Sequence, residues 1–316
     1  MVCVLALFLS PAAAPGQGYP SKPIRVAVGF TAGGPADAMA RIIGQKMAEL
    51  GGHPVIIENR PGATGLLAGE YVAKSAADGH TVWFAGASAL SFIKHLYAKP
   101  LVDAERDLAL VTQAVSVPQI FVVHPSLPVR TLPDLARLAK RRPGQLNASI
   151  IGPGGTVHLG TELFKIAAGI QMNNVQYKGA ANAITDLMGG HIEVALFDVP
   201  AVIAHLPGGK IRPLAVTTGE RVKQIPTVPT TAEAGYPDVR SDSWYGIAAP
   251  IATAPDLIRR VNQFWAAALR SPDTRGRLLA IGAVPVGSTV EEFHAFRNAE
   301  NKKWGEVIRK IGLKLE

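Results

Sequence analysis

Two strand, glycine-turn, helix units constrain this chain more than any other feature. The first runs Val26-Ala27-Val28-Gly29-Phe30-Thr31-Ala32-Gly33-Gly34-Pro35-Ala36-Asp37-Ala38-Met39-Ala40-Arg41. An apolar strand enters a glycine turn, and the turn leads straight into a helix. The second begins near Asn147 and carries Gly152-Pro153-Gly154-Gly155-Thr156-Val157-His158. Glycine allows close approach to the backbone. Helix starts expose unbonded N–H groups at the positive end of a dipole. Two such turns facing each other line a cleft that suits a small anion.

The rest of the chain repeats the same grammar. Strands are expected over residues 24–29, 55–58 and 81–85, with helices over 35–50 and 65–76. A second block has strands over 119–124, 147–151, 173–176, 192–197 and 212–216. Its helices are expected over 133–142, capped by Thr131, then 156–168 and 180–188. A connection rich in Pro, Thr and Gly spans 219–242, followed by a strand over 244–248 and helices over 255–269 and 289–311. Phe293, Phe296, Trp304, Val307 and Ile311 follow the helical period and read as core. Strands alternating with helices predict an α/β fold with helices on both faces of the sheet. A length of 316 residues exceeds what one core usually serves, so two domains are expected. Residues 19–117 with 242–316 form the first, and 118–241 the second. The chain crosses near 115–118 and 235–244.

The net charge of +8 is dispersed, with only doublets such as Arg141-Arg142 and Lys302-Lys303. That argues against nucleic acid as a partner. Residues 1–18 combine an apolar run, Val2 to Leu9, with Ser10, Pro11 and three alanines. The run is too short to span a bilayer and resembles a secretory signal peptide, although no Lys or Arg precedes it. Cleavage after Gly16 or Gly18 fits best. The single cysteine, Cys3, lies within this segment. The mature chain then has no disulfide, no catalytic thiol and no cysteine-ligated metal. His158 and Glu162 stand one turn apart without a third ligand, so no metal is expected.

Neither G-x-G-x-x-G nor the phosphate-loop lysine motif occurs in the turns, which favours an anion smaller than a nucleotide. Gly34 serves as N-cap, and Pro35 suits the first helical position. Asp37, three residues in, either caps the helix or shapes the loop and orders water. Thr156 is expected to cap the second helix and to offer its hydroxyl to the cleft. Asp198 follows a strand and would sit at its carboxyl end, either as a ligand acceptor or as a loop group. Ser88, in Gly86-Ala87-Ser88-Ala89-Leu90, lacks the last glycine of a nucleophile elbow. Its hydroxyl reads as cleft-facing, with a serine hydrolase as the alternative. Lys178 reads as a surface lysine.

The run from Gly33 to Arg41, Glu58-Asn59-Arg60-Pro61-Gly62-Ala63-Thr64-Gly65 and Asp78-Gly79-His80-Thr81 also resemble a known family. So do Gly154 to Leu159, Tyr177-Lys178-Gly179, Thr185 to Gly190, Pro226 to Thr230 with Glu233-Ala234-Gly235, and Trp244-Tyr245-Gly246. The family is the solute-binding proteins of tripartite tricarboxylate transporters, the Bug or TctC family. The resemblance covers essentially the whole mature chain. It implies a periplasmic, two-domain, type II binding protein, a Venus flytrap in which each domain is a mixed sheet flanked by helices. It implies no catalysis and no cofactor, and a small carboxylate held mainly by backbone groups and ordered water. Phe30, Thr31, Ala32, Gly33, Gly34, Gly155, Thr156, Val157 and His158 carry over as ligand loops, and Asp198 as a ligand-side acid. Asp37 and Ser88 complete the candidate set. The implied partners of this monomer are the large and small subunits of a membrane permease, with a sensor protein as the alternative. A regulatory effector domain would need a helix-turn-helix, and the N-terminus offers a signal-like run instead. Three departures stand out. Gly29 and Gln176 replace prolines usual in the family, and the turn over 152–155 is richer in Gly and Pro than usual.

Overall fold

The computed structural model describes residues 18–177 and 179–315. Cys3, Lys178 and nearly all of the signal-like segment lie outside the described residues.

The chain opens with β1 (Ile24–Val28), α1 (Pro35–Gly51), β2 (Val55–Asn59), α2 (Leu66–Ala73) and β3 (Thr81–Gly86). A π-helical turn, Ser88–Phe92, leads into the short α3 (Ile93–Leu96) and then the long β4 (Leu108–Val123). The second block holds α4 (Leu132–Arg141), β5 (Asn147–Ile151), α5 (Thr156–Ala168), β6 (Asn173–Tyr177) and α6 (Ala180–Gly189). It continues with β7 (Val194–Asp198), α7 (Val199–Val202) and β8 (Arg212–Val216). The chain returns through β9 (Asp242–Pro250), α8 (Pro255–Arg270), α9 (Pro272–Ala280), β10 (Val284–Pro285) and α10 (Val290–Ile311).

The strands run β2-β1-β3-β9-β4-β7-β5-β6, with β8 and β10 also pairing with β4. β1, β2 and β3 are parallel, as are β5, β6 and β7, whereas every pair involving β4 or β9 is antiparallel. Strand β4 belongs to both halves. Its residues Leu108 to Pro118 pair with β9, and Gln119 to Val123 pair with β7 and β8. Pro118 stands at the switch, where a missing N–H is tolerated better than in mid-ladder.

Four apolar cores cover the two faces of the two halves. On the first half, α1 and α8 bury Met39, Ile43, Met47, Val261 and Trp265 on one side. On the other side, α10 buries Phe293, Trp304 and Ile308, with Phe296 and Ile311 packed at the margin, as the helical period predicts. The second half is covered by α4 and α5 on one face and by α6 and α7 on the other.

Several boundaries differ from the sequence reading. Strand β4 starts at Leu108, well before the expected 119, because Pro118 and the interleaved Thr, Gln and Ser hide its start. The helix expected over 65–76 is shorter, preceded by a 3-10 turn at Ala63–Gly65 where Ala63 and Thr64 have positive φ. Helix α9 and the turns around α3 and α7 were not expected, being too short to set up a period. Thr131 does cap α4, through a reciprocal capping box with Asp134.

The fold also gives a steric reason for the unusual Gly29. A Cβ on Gly29 would lie 2.5 Å from Cα and 2.8 Å from O of Gly65. The end of β1 therefore packs directly on the backbone that starts α2. Gly29→Ala is expected to lower the unfolding free energy by about 1–3 kcal/mol, the usual cost of overpacking. Denaturant unfolding of the variant checks this, and an unchanged midpoint would contradict it.

Candidate functional site

The two glycine turns fold to nearly the same backbone. Gly33 and Gly154 have φ of 79° and 77°. The next residue is the N-cap of its helix in both turns, Gly34 at φ −79°, ψ 171° and Gly155 at φ −77°, ψ 166°. Gly34 N–H donates to the Thr31 carbonyl at 3.3 Å, and Gly155 N–H to the Gly152 carbonyl at 2.8 Å. A side chain four residues on closes each turn. Gly33 N–H donates to Asp37 Oδ2 at 3.0 Å, and Gly154 N–H to His158 Nδ1 at 3.0 Å.

Thr156 is thus the first helical residue and not the cap expected from sequence. Gly155 takes the extended cap conformation, and its carbonyl accepts from Leu159 N–H at 2.9 Å. The glycine N–H groups are also spent inside the turns. At the two helix starts, the N–H groups of Ala36 and Asp37, and of Thr156, Val157 and His158, have no backbone acceptor outside their helices among the described residues. These are the donors that a helix start leaves for an anion.

Asp37 shapes its loop. Besides Gly33 it accepts from Arg41 Nε at 2.9 Å, and Arg41 holds its carboxyl down at about 2. Asn59 braces the same loop, donating to the Phe30 carbonyl at 3.1 Å. His158 does the equivalent work in the second turn. Burial pulls its pKa down, and its Nδ1 accepts from Gly154, which places the proton of the neutral ring on Nε2. Glu162 lies 3.9 Å from that nitrogen and also holds Lys165 at 2.8 Å. Asp37 and His158 are both buried behind their loops.

A cavity of about 560 Å³ lies between the two halves. Of the candidate residues, Phe30, Ser88, Gly155, Thr156 and Val157 line it. Thr31, Ala32 and Gly33 are exposed ahead of α1 and do not line it. Asp37, His158 and Asp198 are also absent from the wall. The structure adds residues that sequence reasoning missed as site residues, among them Tyr97, Ser243, Trp244, Tyr245 and Leu315. Tyr245 stacks on Phe84 at 5.2 Å and meets Phe30 edge-on at 5.8 Å. The aromatic strand around Trp244 was the available signal for that wall. Tyr97 and Leu315 gave none. A second depression, beside Tyr19, Leu50 and Phe264, contains no candidate residue.

Behind the cavity sits a buried polar cluster at the strand switch. Gln119 is fully buried, and its Nε2 donates to Thr156 Oγ1 at 3.1 Å and Ser243 Oγ at 3.0 Å. Its Oε1 accepts from Ser241 Oγ at 2.7 Å. Ser243 Oγ in turn donates to Asp198 Oδ1 at 2.8 Å. Asp198 is therefore one hydrogen bond behind the cavity wall. Burial pushes its pKa up to about 6, against the opposing effect of Ser243. Burial likewise raises Asp242 to about 7, and its Oδ1 has no partner among the described residues. No acid or histidine partners the Ser88 hydroxyl among the described residues.

The comparisons with known proteins agree with this architecture. The profile of the tripartite tricarboxylate transporter family receptor matches residues 39–313. Protein BugT of Bordetella pertussis is 35% identical, over 100% of this chain and 98% of its own. The structure of Rpa4515 from R. palustris with adipate is 34% identical, with a TM-score of 0.82, covering 94% of this chain and 100% of that one. The periplasmic binding protein BugD is 27% identical, with a TM-score of 0.78, covering 94% and 100%. The chain belongs to the tripartite tricarboxylate transporter receptor family, the periplasmic binding proteins of the Bug/TctC type, and is a solute receptor and not an enzyme.

The two raised carboxyls predict a pH dependence of stability. A carboxyl whose pKa is raised by folding holds its proton more tightly in the folded protein. Its contribution is full below the unfolded value of about 3.9 and is lost as pH rises through the folded value. For Asp198 and Asp242 that loss runs from about pH 4 through about 6 and about 7. Relative to the double variant Asp198→Asn, Asp242→Asn, the native protein is expected to lose stability across this window. Unfolding curves at stepped pH measure the difference, and a flat difference would refute the assignment.

Proposed function

We propose that this receptor captures a small carboxylate in the cavity between two hinged lobes and delivers it to the membrane permease of a tripartite tricarboxylate-type transporter. The observation that carries the reading is the twice-built turn. Each copy spends two glycine N–H groups on its own closure, those of Gly33 and Gly34 or of Gly154 and Gly155, and leaves the next helical N–H groups as donors, and Thr156 and Val157 lie on the cavity wall. The relative Rpa4515 was solved with adipate, a carboxylate of the expected kind.

One lobe comprises residues 19–117 with 242–316 and the other 118–241, hinged near 115–118 and 235–244. The switch of β4 from β9 to β7 at Pro118 and Gln119 supports this division. Thr156 and Val157 are the direct donors in this reading. Gly33 and Gly34 give the first turn its shape, Phe30 covers the ligand, and Ser88 supplies a hydroxyl. Asp37 and His158 act through the loops they close, and Asp198 through Ser243. The signal-like segment 1–18 directs export, and the mature protein works as a monomer.

Ligand-free protein screened against mono- and dicarboxylates is expected to melt at higher temperature with at least one of them. At a ligand concentration of 100 Kd the stabilisation is about 2.7 kcal/mol. Mass spectrometry of ligand released from freshly purified protein identifies the compound. A complete screen without a shift would sink the proposal. Thr156→Val, which takes an acceptor from Gln119 at the start of α5, is expected to weaken binding by about 1 kcal/mol, roughly fivefold. Calorimetric titration reads that change.

A further inference from the structure

We propose that the ligand is a carboxylate with an uncharged, apolar body, and that Leu315 sets the size of that body. This inference rests on the carboxylate reading and narrows it.

Three observations carry it. First, among the described residues no Lys, Arg, His, Asp or Glu lines the cavity. Besides the backbone N–H groups, its polar groups include the hydroxyls of Ser88, Thr156, Ser243 and the Tyr97–Thr64 pair at 3.3 Å. A compact ligand with two or three charges and several hydroxyls would find no counter-charge on this wall. Stripping it of water would then go uncompensated. Second, much of the wall is apolar: Phe30, Ile151, Pro153, Val157, Trp244 and Leu315. Such a surface gains from covering a chain or a ring. Third, two acids stand just behind the wall, Asp198 and Asp242, the first one hydrogen bond from the lining Ser243. Neither offers a positive group to a second carboxylate, which would then be buried at this wall without a partner.

Leu315 comes from a segment that folds back after α10. Gly312 takes the left-handed turn at the helix end, and Leu313 N–H donates to the Ile308 carbonyl at 3.2 Å. Leu315 N–H then donates to the Leu96 carbonyl at 2.9 Å, and Lys314 Nζ to the His95 carbonyl at 3.1 Å. These bonds pin the segment to α3 and bring Leu315 onto the cavity wall. It also packs on the second turn, since a Cβ on Gly154 would lie 3.1 Å from Leu315 Cδ1. The segment thus joins the apolar wall to the turn that supplies the donors. Phe30 is set by Tyr245 and the π-helical turn by the core, whereas Leu315 is held by backbone bonds and packs at the margin of the core under α10, so a change in its size touches the edge of that core and not its centre.

Calorimetric titration of the full mature protein tests this with hexanoate and benzoate against malate and citrate. Hexanoate or benzoate is expected to bind at least tenfold more tightly than malate or citrate. Leu315→Ala is expected to weaken the apolar ligand about tenfold, the scale of a lost aliphatic contact in a pocket. Leu315→Met, of similar volume, is expected to restore most of the affinity. Equal or tighter binding of malate or citrate overturns the inference and leaves the carboxylate reading standing. So does an unchanged hexanoate and benzoate affinity in Leu315→Ala. Absence of binding by every carboxylate overturns both. The ligand comparison uses the native protein, so it decides even if a variant folds poorly.

Discussion

The buried amide of Gln119 is the interaction on which the rest of the arrangement depends. It sits where β4 leaves one half of the sheet for the other, and none of it reaches solvent. A buried amide without partners costs free energy comparable to several surface contacts. Here the partners come from three segments distant in sequence: Thr156 at the start of α5, Ser241 at the end of the long connection, and Ser243 on β9. The Gln119 carbonyl also accepts from Thr217 Oγ1 at 3.1 Å. Satisfying this one side chain fixes the second glycine turn against the returning strand. It thereby fixes where the cavity lies.

The same turn is built twice with different chemistry. The shared elements are a positive-φ glycine, a glycine N-cap and an acceptor four residues on. The acceptor is an ionised aspartate in one copy and a neutral histidine in the other. The aspartate is neutralised by Arg41, so neither closing group leaves a net charge behind its turn. That choice leaves the helix-start N–H groups as the principal positive feature of each turn. Loop shape is then held by bonds that leave the helix-start N–H groups uninvolved.

The chemistry of the surroundings is unequal on the two sides of the wall. Among the described residues the cavity face is neutral and largely apolar, while Asp198 and Asp242 sit behind it at raised pKa. Both acids flank Ser243, and both occupy positions paired with the β4 switch, Asp198 opposite Gln119 and Asp242 opposite Pro118. Burying two carboxyls at such a point is costly for stability. Their position puts two titratable groups at the strand switch, directly behind the cavity wall.

Much of this was legible in the sequence. The glycine turns, the helix starts after them, the alternating elements and the approximate crossing points follow from local rules. Those rules are apolar period, N-cap chemistry and the conformational freedom of glycine, and each acts over a few residues. The aromatic stripe of α10 was readable as core for the same reason. The tertiary structure alone decided what is non-local. It decided that Thr156 bonds Gln119 and Ser243 instead of capping its helix, and that Asp37 and His158 close loops from behind. It also decided that Gly29 must be glycine because Gly65 lies against it, and that Tyr97 and Leu315 reach the cavity. A contact between residues separated by 36, 124 or more positions leaves no periodic trace in the chain. It exists only once packing has brought those segments together, and so the sequence determined the turns while the fold determined what they face.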